Sequence, residues 1–125
     1  MQERRKYVRS DGLVLVNYRI PETKIEGKSS AHDVSGMGVR IIIDNKIKLQ
    51  TTVEMEIYLP GNSQPVLAKG NVIWVKKCQD IAKTQITPKE EYFYAGINFT
   101  IIDEKNRKRI TDYVQQKIHQ GKEKP

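Results

Sequence analysis

Two short stretches of the chain bring together side chains that could hold an anion and read a polar ring edge. The first, Glu3-Arg4-Arg5-Lys6-Tyr7-Val8-Arg9, crowds four cations into six positions, with Arg5 and Arg9 four apart. The second, His32-Asp33-Val34-Ser35-Gly36-Met37-Gly38, sets a carboxylate, a hydroxyl and two glycines within six residues. Guanidinium is planar and always charged; it grips phosphate bidentately, reaches the O6/N7 edge of guanine and stacks on base faces. A carboxylate such as Asp33 accepts from the opposite, N1–H and N2–H₂ edge, and the Ser35 hydroxyl can donate or accept beside it. Gly36 and Gly38 allow positive φ and close backbone approach to a ligand. Together these groups describe a guanine nucleotide pocket. The same Asp-x-Ser-x-x-Gly spacing also describes a turn in which Asp and Ser cap their own backbone, and spacing alone leaves both readings open.

Catalysis finds little support. His32, Asp33 and Ser35 invite a triad, but in an extended segment His32 and Val34 face one way while Asp33 and Ser35 face the other. The other histidine, His119, falls near the end of a C-terminal helical pattern and reads as a solvated surface residue. One cysteine, Cys78, and two scattered histidines make a zinc site improbable. A strand–helix phosphate loop is not expected, because the helical pattern comes last. The expectation is therefore no enzyme activity, no catalytic residue, no metal and no cofactor.

Composition bounds the rest. At 125 residues the chain suits one domain with one modest core. Hydrophobic residues at 38% and charged residues at 30% stop short of a disordered composition. A single cysteine allows no internal disulfide and fits a reducing, cytoplasmic compartment. No apolar run approaches the ~20 residues of a membrane span, and the basic start lacks the apolar region of a signal peptide. Net charge is +7, from 22 basic and 15 acidic residues, which points to an anionic partner or simply to solubility.

These groups need elements to position them. Residues 1 to 12 lack periodicity and read as an arm. In 13 to 20, Val14, Val16, Tyr18 and Ile20 share one face of a strand. Residues 25 to 34 read as a weaker, polar strand, and 39 to 43 as a strand closed by Asp44-Asn45. In 52 to 59, Val53, Met55, Ile57 and Leu59 alternate with Glu54, Glu56 and Tyr58. A long strand spans 65 to 78, with Gly70 a bulge or bend; a polar loop covers 79 to 90; a last strand covers 92 to 102. Asp103 is then a good N-cap, Ile110, Tyr113, Val114 and Ile118 share a helical face, and Gly121 ends the helix. The reading is a mainly β chain: a small antiparallel barrel with a C-terminal helix.

On this strand pattern, Arg5 to Arg9 fits R-x-x-x-R and Asp33 to Gly38 fits D-x-S-x-x-G, and the pair resembles the PilZ domain, a bacterial receptor for cyclic di-GMP. "GVRI" after the second motif, "GNVIWV" at 70 to 75 and "YAGINF" at 94 to 99 strengthen the likeness. The resemblance implies one six-stranded antiparallel β-barrel at 13–102, a C-terminal helix at 103–120 and a flexible ligand-binding arm at 1–12. It also implies that Arg5 and Arg9, helped by Arg4, hold phosphates and guanine edges. Asp33 and Ser35 would meet guanine from the barrel surface, while Gly36 and Gly38 shape the loop. The implied function is a cyclic di-GMP receptor that changes conformation on binding. It would signal to an unidentified partner protein in motility, biofilm or exopolysaccharide control, as a monomer or weak homodimer without a specific nucleic acid.

Several residues keep two readings. Trp74 is barrel surface or a base-stacking platform, and Tyr7 packs on the barrel or on the ligand. Arg40 points to the pocket or to solvent. The Lys105–Arg109 run is a solvated helix face or a docking site for an acidic partner. Cys78 reads as structural. Two other functions compete with the receptor: a small basic barrel binding RNA or single-stranded DNA nonspecifically, and an interaction module with a vestigial pocket. Aromatics at 7% weaken the nucleic-acid reading, which needs exposed rings between cations. The arginine motif generates a direct expectation: Arg5→Ala and Arg9→Ala each weaken cyclic di-GMP binding roughly ten- to a hundredfold in calorimetry, about 1–3 kcal/mol. Wild-type affinity in either variant removes that arginine from the site.

Overall fold

The computed structural model describes residues 14–44, 46–78 and 92–123. The expected arm with Arg4, Arg5 and Arg9, the polar loop at 79 to 90 and the side chain of His119 lie outside the described residues. Six strands run β1 (Val14–Ile20), β2 (Ile25–Val34), β3 (Gly38–Ile43), β4 (Thr52–Tyr58), β5 (Val66–Cys78) and β6 (Tyr92–Ile102), followed by one helix, α1 (Glu104–Glu123). All pairings are antiparallel and the sheet closes on itself in the order β1-β2-β3-β6-β5-β4.

Alternation explains the closure. Val14, Val16, Tyr18 and Ile20 point inward from β1, and Val53, Met55, Ile57 and Leu59 from β4 and its end. Val39, Ile41 and Ile43 of β3 and Phe93, Ala95, Ile97 and Phe99 of β6 complete the filling. Among the described residues no charged side chain is buried, so the interior is an apolar plug rather than a pocket. Gly70 lies at a register shift between β5 and β6, as its position in the pattern implies, and a Cβ there would strike the backbone oxygen of Asn98.

The helix departs from expectation twice. It continues past Gly121 to Glu123. A glycine ends a helix by adopting positive φ, and of the described glycines only Gly61 does so. Ile118 is half exposed instead of packed, because α1 meets the barrel through its first half: Ile110 is fully buried, and Tyr113 and Val114 lie against the core. Among the described residues no helix is long and apolar enough to cross a membrane.

Tyr18 gives the core a titratable member. Only 5% of it is exposed, and its hydroxyl packs over Gly27 on the neighbouring strand. Burial, with the nearby Asp44 carboxylate adding to it, pushes the phenol up from 10.0 to about 12. A raised folded-state value favours the protonated form. The stability it contributes is therefore complete below pH 10 and drains away as pH rises toward 12. By pH 11 the loss is on the order of 1 kcal/mol. Denaturant midpoints at pH 7 and pH 11 should fall further for wild type than for Tyr18→Phe; equal falls would clear this phenol of the effect.

Candidate ligand-binding site

The outer wall near the β2–β3 turn carries the chemistry, and two bulges put it there. Ala31 pairs with Ile41 and Asp33 with Arg40, so β2 holds one extra residue, His32. The strict alternation expected for residues 32 to 35 fails at this point. His32 and Asp33 are both exposed, while Val34 packs against the core, so His32 does not share the Val34 face. A second bulge interrupts β5. Val72 pairs with Ile97 and Trp74 with Gly96, leaving Ile73 as the extra residue, and Ile73 and Trp74 are both exposed.

Register then aligns a row across four strands: Asp33 on β2, Arg40 on β3, Gly96 on β6 and Trp74 on β5. At ~4.8 Å per strand the row covers roughly 14 Å of wall. Arg40 points toward Asp33 rather than simply to solvent: its Nη2 lies 3.4 Å from Asp33 Oδ2, and its guanidinium carbon sits 4.8 Å from the Tyr94 ring centroid. The Tyr94 and His32 rings stand nearly perpendicular in a T-shaped pair, their centroids 5.6 Å apart. At the other end the Trp74 indole lies where a side chain on Gly96 would be, with its Nε1 and Cε2 nearest. Trp74 is thus barrel surface, 39% exposed, in line with Asp33.

The loop after Asp33 divides the motif's roles. Ser35 behaves as a turn residue: its Oγ accepts from the Met37 amide at 3.1 Å, and its own amide donates to the Gly38 carbonyl at 2.9 Å. Neither Gly36 nor Gly38 has positive φ, which corrects one reason expected for them. Close approach is the surviving reason, and protein backbone and side chains supply it. A Cβ on Gly38 would strike the Ile97 carbonyl oxygen of β6, and one on Gly36 would sit 2.9 Å from Thr111 Cγ2 of α1.

The Lys105–Arg109 run is more than a plain solvated face, because three of its cations have partners within the protein. Arg107 Nη1 donates to the Gly36 carbonyl at 2.6 Å. Arg109 donates to the Gln64 and Pro65 carbonyls at 2.5 and 3.3 Å, and Lys108 pairs with Asp112 at 3.0 Å. Tyr94, Gly96 and Arg107 went unassigned in the sequence. Alternation alone turns Tyr94 and Arg40 outward, but only the strand register shows that they meet.

A separate concavity of about 820 Å³ lies elsewhere on the wall, among Arg19, Glu54, Leu67, Lys69 and Ile101. Asp33, Ser35 and Arg40 do not line it. Three of its charges meet one another: the Arg19 guanidinium bonds Glu54 and holds its carboxyl below the usual carboxylate range, with Lys69 3.6 Å away. Among the described residues no cluster of His, Cys, Asp or Glu is placed to hold a metal.

The structure is thus a filled six-stranded barrel with a polar and aromatic row on its outer wall. A family model for the PilZ domain matches residues 3–116, and the chain belongs to that family. Solved structures share the fold at low identity. The inhibitor of motility MotI/DgrA of Bacillus subtilis matches 92% of this chain at 13% identity and TM-score 0.65. MrkH of K. pneumonia matches 90% at 13% and 0.66. The chain spans about half the length of those two structures, 50% and 48%. The PilZ domain of YcgR from Escherichia coli, solved with c-di-GMP, matches 90% of this chain and 86% of its own at 9% identity and TM-score 0.60. No curated protein sequence matches the chain.

The geometry separates Ser35 from Asp33. Ser35→Ala should lower unfolding stability by about 0.5–1.5 kcal/mol through the lost Met37 contact. Asp33→Ala, losing one exposed ion pair, should stay within about 0.5 kcal/mol of wild type. Chemical denaturation of both variants checks this, and a larger loss for Asp33→Ala would make it the structural residue.

Proposed function

We propose that this chain is a cyclic di-GMP receptor that reads the ligand on its outer wall and passes occupancy to a partner protein. The observation that carries the reading is the row Asp33–Arg40–Gly96–Trp74, which begins at the motif carboxylate of a PilZ chain. Asp33 is 77% exposed, with lone pairs open to the N1–H and N2–H₂ donors of guanine. Its pairing with Arg40 is loose and in contact with water, worth about 0–1 kcal/mol. A bidentate guanine contact of roughly 1–3 kcal/mol outweighs that. Freed from Asp33, the Arg40 guanidinium stays on the Tyr94 ring and offers donors to a phosphate or base edge. Trp74 and Tyr94 supply ring surface for stacking. In this reading Arg4, Arg5 and Arg9 bring the remaining cations for the two phosphates, and Gly36 and Gly38 hold the loop close to the wall.

Trp74 is the only tryptophan, so its emission reports the row directly. Titration with cyclic di-GMP should change that emission saturably, GTP should not, and Asp33→Ala should weaken binding about tenfold or more. No response to the cyclic dinucleotide overturns the reading. Binding of a short oligonucleotide with steep salt dependence would replace it with nonspecific nucleic-acid binding. Silence toward all three ligands would leave an interaction module.

A further inference from the structure

We propose that Arg107 is the positioning residue of the ligand loop and ties that loop to the C-terminal helix. The inference rests on the receptor reading for its functional meaning, but its contacts are independent of any ligand. Loop 35–38 is pinned from two sides. Met37 O accepts from the Phe99 amide of β6 at 2.9 Å, a backbone bond between the loop and the barrel wall. The carbonyl just before it, Gly36 O, accepts from Arg107 Nη1 of α1 at 2.6 Å. A charge-assisted bond of that length is the stronger kind. Glu104 on the same helix adds only an exposed ion pair, its Oε2 3.5 Å from Arg107 Nε without a hydrogen bond. Thr111 closes the contact, its methyl filling the space that makes Gly36 a glycine. Ser35 thus sits on a loop whose barrel side is fixed by β6 and whose outer side is fixed by one long side chain, and Asp33 lies two residues before it at the end of β2.

The helix has a different anchor at Arg109. That residue bonds Gln64 and Pro65 on the β4–β5 connection, away from the bond that Arg107 makes to Gly36. One arginine therefore docks α1 on the barrel, and its neighbour two residues earlier docks the loop on α1. Among the described residues, the polar partners found for Arg107 are Gly36 and Glu104 rather than Asp33 or Trp74, so it acts through Gly36. Because binding coupling is reciprocal, a loop that depends on Arg107 for its position returns ligand occupancy to the helix through the same bond.

The test uses the full chain and four forms: wild type, Arg107→Ala, Arg107→Lys and Arg109→Ala. Without ligand, amide exchange at Ser35 and Met37 should speed up about tenfold in Arg107→Ala while Val16 and Ile57 stay unchanged. In calorimetry with cyclic di-GMP, Arg107→Ala should bind about tenfold more weakly. Arg107→Lys, which keeps a charged donor for Gly36 O, should return to within about threefold of wild type, and Arg109→Ala should bind normally. Saturation should slow exchange in the first turns of α1 in wild type and leave it unchanged in Arg107→Ala. Wild-type affinity in Arg107→Ala, equal losses in Arg107→Lys, or an equal loss in Arg109→Ala overturns the proposal. If wild type fails to bind cyclic di-GMP, the receptor reading falls. The ligand-free exchange of Ser35 and Met37 then decides the positioning role alone, with unchanged rates overturning it.

Discussion

A barrel of six strands has no room inside for anything but its own side chains. The fold depends on that constraint, because every recognition group must then sit on the outer wall, where strict alternation offers only every second residue. The two bulges relax this limit. Each adds one residue to its strand, and each adds it on the outside: His32 on β2 and Ile73 on β5. They fall on strands that flank the β3–β6 pair, so the extra residues bracket Arg40 and Gly96. Breaking the ladder at these points costs backbone hydrogen bonds and yields a local density of exposed chemistry that a regular sheet lacks.

Close approach is the second theme, and glycine serves it without unusual backbone angles. Gly38 lets the start of β3 lie on β6, Gly36 lets the loop touch α1, and Gly96 lets an indole lie flat on the sheet. At each position a Cβ would meet another part of the protein. The glycines of the second motif therefore set the distance between loop, barrel and helix, and the polar groups of the motif inherit their positions from that spacing.

This explains what the sequence made legible. Strands β1 and β4 were readable because nearly every inward residue is apolar and nearly every outward one is polar, a signal contained within seven residues. Asp103, Ile110 and the switch to helical period were readable for the same local reason. His32 was misplaced because a bulge is a property of pairing: nothing within residues 30 to 35 says that Ala31 faces Ile41 while Asp33 faces Arg40. The Arg40–Tyr94 stack is equally non-local, joining strands more than fifty residues apart. Gly121 and Ile118 misled in the opposite sense, since both obey helical rules that packing against the first half of α1 does not enforce.

The cationic run on α1 shows how such information is lost. Written in sequence, Lys105 to Arg109 is one block of like charge, and charge alone assigns it to solvent or to an acidic partner. Wound into a helix, successive residues are turned about 100° apart, so the block fans out in different directions. Lys108 turns to Asp112, Arg109 to the β4–β5 connection and Arg107 to Gly36. The partners of Arg107 and Arg109 there are backbone carbonyls, which carry no side-chain signature. An arginine that binds a carbonyl fixes the position of a chain segment whatever that segment's side chains are. That makes Arg107 a property of the geometry rather than of either motif, and it places the mechanical support of the loop in the element farthest from it in sequence.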